Sequence, residues 1–258
     1  MDQEFRKKNI LEELERAGRV NLQELVKLFQ TSEMTVRRDL TELERQGFLI
    51  RKYGGAVKTA AVDTLFSFNR RVERNSDQKE AICRTASQFI EDGDIIFIDC
   101  GTTLFRLAHF IKNRRIRVIT NSLPVVSELL NDPQIRISFV GGDIDSDRQA
   151  SYGRIAEKII SEFRADKAFI GMDGVSLSNG LSSFDEKEGM VTKTMAEHAD
   201  KVYLLCDSSK IEKDSYFRFA PVSLINTLIT DSEVHSQLIG LYKEKGVEII
   251  SSMDISSI

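Results

Sequence analysis

Arg37 and Arg38 stand side by side in the run Thr35-Val36-Arg37-Arg38-Asp39-Leu40, and the apolar residues around them decide which way they point. Val36, Leu40 and Leu43 recur at i, i+4 and i+7, the stripe of a buried helical face. At about 100° per residue, Met34, Arg37, Arg38 and Thr41 turn away from that stripe, with Thr35 at its flank. An outward arginine on a helix that enters the major groove can bond guanine O6 and N7 together. Arg51 and Lys52, a few residues further along, suit phosphate oxygens, which position a duplex without reading it. Asp39 would be repelled by phosphate and reads instead as a partner for an arginine of the same chain. Spacing alone leaves a second reading open, in which Arg37 and Arg38 form a solvated helix face.

Five small polar clusters make up the other chemistry-bearing set: Asp99-Cys100-Gly101-Thr102-Thr103, Thr120-Asn121-Ser122, Gly141-Gly142, Gly171-Met172-Asp173-Gly174 and Asp207-Ser208-Ser209-Lys210. Gly101 lets the backbone approach a ligand, and Thr102 and Thr103 open a helical pattern whose first N–H groups and positive dipole end suit a phosphate. Lys210 can complete the charge balance of such a group. Taken singly, each cluster is also what an ordinary turn prefers.

The elements that must hold the arginines follow from helical period and punctuation. Ile10, Leu11 and Leu14 mark a first helix over residues 4–17, stopped at Gly18. Asn21 and Glu24 form a plausible capping pair for a second helix carrying Leu22, Leu25, Val26, Leu28 and Phe29. After the turn Gln30-Thr31-Ser32, Ser32 can cap the helix that bears Arg37 and Arg38, and Gly47 ends it. Phe48–Lys52, the turn Tyr53-Gly54-Gly55, and Ala56–Lys58 read as a basic β-hairpin, the wing of a winged helix-turn-helix of α+β class.

Between residues 59 and 75 no period emerges, and this stretch reads as a linker between domains at 1–58 and 76–258. Beyond it, strand and helix patterns alternate: helix 77–91, strand 94–99, helix 104–112, strand 117–120, helix 123–130 and strand 136–140, then helix 155–163, strand 167–170, helix 187–199, strand 201–206, strand 228–230, helix 234–245 and strand 247–250. Such alternation predicts an α/β domain with a mostly parallel sheet flanked by helices. Ligands of such sheets sit beyond the carboxyl ends of the strands, where all five polar clusters fall.

Composition narrows the classes. With 41% hydrophobic and 29% charged residues, the 258-residue chain has the balance of an ordinary soluble protein. Residues 1–60 carry twelve Lys/Arg against ten Asp/Glu, whereas the remainder carries twenty-four against thirty, so the basic character lies at the arginine-bearing end. Cys83, Cys100 and Cys206 are odd in number and set in apolar contexts, and His109, His198 and His235 are scattered, which argues for packing rather than a disulfide frame or metal site. The longest apolar runs fall far short of the ~20 residues that cross a bilayer. A charged N-terminus lacks the apolar core of an export signal, so a cytoplasmic location is expected.

The run T-V-R-R-D-L at 35–40, followed by L-E at 43–44, Gly47, Leu49, Arg51 and G-G-A at 54–56, resembles the helix-turn-helix signature of the DeoR family of transcriptional regulators. The series D-x-G-T-T, T-N-S, G-G, G-x-D-G and D-S-S-K, in that order, resembles the family's sensor domain, so the resemblance covers nearly the whole chain. It implies that Thr35, Arg37 and Arg38 read or grip DNA, with Arg51 and Tyr53 on the wing; Tyr53 stands where many members have His. It further implies a phosphorylated-sugar effector held by Asp99, Gly101, Thr102, Thr103, Asn121, Ser122, Gly141, Asp173, Glu188 and Lys210.

A repressor of a sugar-catabolic operon, relieved by that effector, is the expectation, acting as a homo-oligomer (dimer or tetramer) on operator DNA, with no membrane partner, cofactor, metal or catalytic residue. The sensor domain is similar in fold to ribose-5-phosphate isomerase, which supplies an alternative: an isomerase with an accessory DNA-binding domain, using Asp173 or Glu188 as base with Lys193 and Lys210 as oxyanion partners. Against catalysis, Ser178-Asn179-Gly180-Leu181-Ser182-Ser183 lacks the lysine and glycine run of the isomerase loop.

Overall fold

The computed structural model describes residues 3–59 and 68–252. The chain divides into two compact units, Met1–Arg74 and Asn75–Ile258. Among the described residues, no helix is long and apolar enough to cross a membrane.

In the first unit, helices α1 (Gln3–Ala17), α2 (Leu22–Phe29) and α3 (Glu33–Arg45) bury one face each, through Ile10, Leu11 and Leu14, Leu22, Leu25 and Phe29, and Val36, Leu40 and Leu43. Each such side chain contributes about 1.5–3 kcal/mol by leaving water. Both expected caps form: Asn21 Oδ1 accepts from the N–H of Gln23 at 2.8 Å, and Ser32 Oγ from that of Thr35 at 3.2 Å.

The wing has three strands where the hairpin reading gave two. The short β1 (Arg19–Asn21) pairs antiparallel with β3 (Gly55–Lys58), which also pairs with β2 (Leu49–Lys52). Gly55 makes the third strand possible, because a Cβ there would lie 2.0 Å from the carbonyl oxygen of Val20.

Asp39 is sequestered, as its chemistry suggested. Arg6 donates to it through Nε at 2.7 Å and Nη2 at 3.3 Å, and the carboxylate side chain is 1% exposed. The pair ties α1 to α3 on the side away from the outward arginines.

Residues 60–67 of the expected linker lie outside the described residues, as do 253–258 of the expected second domain. The linker stretch also holds a short helix, α4 (Phe68–Glu73), whose six residues are too few to show a period.

The second unit is built on β4 (Ile95–Ile98), β5 (Arg117–Thr120), β6 (Arg136–Phe139), β9 (Ala165–Ile170), β12 (Ala199–Leu205), β14 (Thr227–Thr230) and β15 (Glu248–Ser251). They form one sheet in the order β15-β14-β12-β9-β4-β5-β6 with every pairing parallel. Alternate side chains feed two cores. Ile96, Ile98, Phe169 and Leu205 pack with helices α5 (Ser76–Ser87), α6 (Thr102–Phe110) and α7 (Leu123–Leu129), through residues such as Ile82, Leu104, Leu107 and Val125. Phe97, Ala168, Ile170 and Leu204 pack on the other face against α8 (Arg154–Ser161), α9 (Glu186–Glu197) and α10 (Ser236–Glu244), through residues such as Ala156, Ile160, Val191, Met195 and Tyr242.

Two smaller sheets were not foreseen. β7 (Asp143–Asp145) and β8 (Ala150–Tyr152) form a hairpin, and β10 (Gly174–Ser176), β11 (Gly180–Ser183) and β13 (Phe217–Ala220) form a three-stranded antiparallel sheet. Residues 178–183, read as a loop, therefore belong partly to β11.

Candidate functional site

The outward face of α3 separates its two arginines. Arg37 is held by Glu33 one turn earlier, through Nε at 2.8 Å and Nη2 at 2.6 Å to Oε1. Arg38 is exposed and has no hydrogen-bond or ion-pair partner among the described residues. Thr35 shares its hydroxyl with the Ser32 cap at 2.8 Å, and Arg51 donates from Nη1 to Thr41 Oγ1 at 2.9 Å, which lays the wing arginine against α3. Lys52 and Tyr53 stand at the exposed wing tip. Thr35, Arg37, Arg38 and Arg51 thus lie on or against one helix, with Lys52 and Tyr53 on the adjoining turn.

In the sheet of the second unit, the chain runs β4 to β5 to β6 in one direction and β9 to β12 to β14 to β15 in the other. The reversal falls between β4 and β9, and a crevice opens at the carboxyl ends of strands at such a switch point. Asp99 ties the exits of the two strands together there. Its Oδ1 accepts from the N–H of Cys100 at 2.7 Å, and its Oδ2 from Thr192 Oγ1 at 2.8 Å and from the N–H of Gly171, beyond β9, at 3.3 Å.

Burial pushes the Asp99 carboxyl up to about 7; the Thr192 hydroxyl pulls it down, Glu188 raises it, and the N–H groups of Gly171 and Cys100 lower it. Between pH 4 and 7 the folded unit then holds a proton that the unfolded chain has released. Asp99 should therefore make stability fall as pH rises through that window, by roughly 4 kcal/mol in total, and level off above it. Thermal melts at pH 5 and 7.5 should show a shallower loss for Asp99→Asn than for the wild type; equal slopes would mean that Asp99 is ionised throughout.

Next to Asp99, α6 starts at Gly101 with φ of +130° and no side-chain cap, so its first N–H groups remain available. Thr102 and Thr103 occupy that first turn. On the β9 side, Asp173 Oδ2 accepts from the N–H of Phe184 at 2.8 Å and from Ser183 Oγ at 3.4 Å. Lys210, beyond β12, donates from Nζ to the carbonyl of Met172 at 2.7 Å. Asp207 is buried. Burial raises its carboxyl, but Lys210, a hydrogen bond from Ser209, Lys79 and a hydrogen bond from Asn75 outweigh that and leave it below the usual range.

Other expected site residues have structural partners. Asn121 donates from Nδ2 to the carbonyl of Ser151 at 3.0 Å, anchoring β8, while Ser122 Oγ caps α7 by accepting from Val125 at 3.4 Å. Gly141 follows β6, two strands away from the switch point. Lys193 is directed to Glu197 at 3.7 Å.

Two residues missed in the sequence complete the picture. Arg148, on the turn between β7 and β8, is buried with its Nη2 3.3 Å from Glu188 Oε2 and 4.0 Å from Asp173 Oδ2. Burial works against its charge, yet Glu188 and then Asp173 more than compensate, so its proton is held more firmly than usual. Lys79, on α5, is 5% exposed and near enough to Asp207 to act on its charge. Its signal was available: Lys79 stands in the apolar stripe of Ile82, Cys83 and Ala86. Arg148 had none, because a turn has no period.

Among the described residues, no group of three or more His, Cys, Asp or Glu is placed to hold a metal ion.

Residues 6–61 match the family model of the DeoR-like helix-turn-helix domain, and residues 74–232 that of the DeoR C terminal sensor domain. The chain is 33% identical over 250 residues to the HTH-type transcriptional repressor GlcR of Bacillus subtilis (strain 168), covering 97% of this chain and 96% of that one. It is 32% identical over 234 residues to the glycerol-3-phosphate regulon repressor of Escherichia coli (strain K12), covering 90% and 92%. Among solved structures, ribose 5-phosphate isomerase A from Methanocaldococcus jannaschii superposes with a TM-score of 0.39 at 19% identity, over 53% of this chain and 55% of that one. A superposition of that extent carries no functional weight.

Proposed function

The chain belongs to the DeoR family of transcriptional regulators, and from that premise we propose that it represses a sugar-catabolic operon and releases its operator when a phosphorylated sugar binds the second unit. The observation that carries the reading is the exposed guanidinium of Arg38 on α3, without a partner among the described residues, beside a basic wing. In this reading Arg38 reads a base, Arg37 and Thr35 grip the backbone beside it, and Arg51, Lys52 and Tyr53 hold the adjoining phosphates and groove. One small winged domain buries too little surface for strong specificity. Two copies on half-sites about 34–36 Å apart, or a multiple, supply the rest, so the working form is a dimer or tetramer. Acting on DNA, it works in the cytoplasm.

The effector site is the crevice at the β4/β9 switch point. The first turn of α6 at Gly101, Thr102 and Thr103 takes the phosphate, with Lys210 and Lys79 as its cations, and Asp99, Asp173 and Glu188 accept hydroxyls. Asn121, Ser122 and Gly141 form the wall on the β5 and β6 side. Isomerase chemistry is disfavoured, since Asp173 and Glu188, the acids it would use as bases, face the buried guanidinium of Arg148.

Arg38→Ala should cost about 1–3 kcal/mol of operator affinity and relax preference at one base pair of each half-site. Selection of operator sequences from random duplexes with both proteins measures this; an unchanged base preference would remove Arg38 as a reader.

A further inference from the structure

Glu33 joins the two helices of the helix-turn-helix. It is the first residue of α3, and its two carboxylate oxygens have different partners. Oε1 accepts from Nε and Nη2 of Arg37, at 2.8 and 2.6 Å, while Oε2 accepts from Nε2 of Gln23 at 3.1 Å. Gln23 lies in the first turn of α2, where its own N–H is fixed by the Asn21 cap at 2.8 Å. The carboxylate thus stands between two capped helix starts, Asn21 before α2 and Ser32 before α3. The hydrogen bond from Arg37, and then that from Gln23, hold it below the usual carboxylate range, so it is charged at neutral pH.

On the free protein both members of the Glu33–Arg37 pair are about half exposed, and such pairs add little to stability. Against DNA the pair matters in two ways. A guanidinium gripped along its Nε edge keeps Nη1 and the outer N–H of Nη2 as donors, in a fixed orientation. A free arginine follows any phosphate, whereas a held one meets only the phosphate that the register of the duplex brings to it. The carboxylate also cancels the charge that Arg37 would offer to a polyanion. Arg38 beside it has no such partner among the described residues. Both effects weigh most on DNA of the wrong sequence, because on the operator base contacts set the register, while elsewhere only the attraction of the backbone remains.

We propose that Glu33 is a specificity-determining residue: through its bonds to Arg37 and Gln23 it positions Arg37 for one backbone register and withholds that arginine from indiscriminate phosphate contact. The inference rests on the operator-binding reading above and adds a residue that acts against all other DNA.

Fluorescence anisotropy with the full chain tests it, on the duplex the protein selects and on a scrambled duplex of equal length, each over a salt series. Glu33→Gln should bind the scrambled duplex more tightly, with log affinity against log salt steeper by about 0.9, the increment for one further phosphate neutralised. At about 0.15 M salt that increment is worth roughly fivefold, and the preference for the selected duplex should fall by about as much. A residue that only completed the first turn of α3 would shift the melting temperature and leave the preference where it was. Arg37→Ala supplies the second arm: in that background Glu33→Gln should lose most of its effect on preference, because no guanidinium is there to be released.

A preference and a salt slope unmoved by Glu33→Gln overturn the proposal, as does an effect that persists in full beside Arg37→Ala. If the wild type binds both duplexes alike, the operator reading falls and this inference with it; if the wild type discriminates and Glu33→Gln does so equally well, only this inference falls.

Discussion

Replacing Asp39 by alanine should unfold the DNA-binding unit, lowering its stability by about 3–5 kcal/mol, because it removes the carboxylate that takes two hydrogen bonds from the buried Arg6 guanidinium. The side chains of Arg6 and Asp39 are 9% and 1% exposed, and both donor atoms of the fork are engaged. A unit this small has few kcal/mol of net stability to lose. Far-ultraviolet melting of the variant should show the first unit unfolded at 37 °C while the second still melts cooperatively. Changing both partners to apolar residues of similar volume should recover most of the loss, since two well-packed apolar groups need no counter-charge. A shift below about 1 kcal/mol for Asp39→Ala would match a solvated surface pair and contradict the buried geometry.

Lys210→Ala is expected to abolish the effector response. In the proposed site its ammonium, fixed by the Met172 carbonyl beside Asp207, faces the phosphate. Truncating one partner of a hydrogen-bonded charge pair costs about 2–5 kcal/mol, or roughly 30- to 5,000-fold in effector affinity. Reporter expression should stay repressed in cells fed the inducing sugar, and calorimetry should show the corresponding loss of binding. An effector affinity within about twofold of the wild type would move the phosphate elsewhere in the crevice.

Local periodicity made the first unit readable, and tertiary approach set its limit. Val36, Leu40 and Leu43 fixed the orientation of α3, and Asn21 and Ser32 announced where two helices begin, since these are effects within one or two turns. The strand β1 was hidden because three residues carry no alternation, and its pairing depends on Gly55 having no side chain. Arg37 and Arg38 looked equivalent by angle alone. The i, i+4 relation of Glu33 to Arg37 separates them and was present in the sequence.

In the second unit, parallel strands alternating with helices gave the sheet, and Asp99, Gly101, Asp173 and Lys210 lie beyond its strands as the alternation placed them. The order of strands was not readable, so neither was the β4/β9 reversal that brings Asp99 to Gly171. Asn121 anchors β8 and Ser122 caps α7, roles that a strand-end motif cannot distinguish from ligand contact. Arg148 depends on a hairpin whose strands have three residues each, below what a pattern can register.

Operator binding with and without sugar phosphates goes most directly to the central claim. Fluorescence anisotropy on a duplex selected by the full chain should show affinity falling about 5- to 150-fold in the presence of at least one sugar monophosphate, the range of an ordinary allosteric coupling. Tight, sequence-specific DNA binding that no phosphate ester alters would contradict it.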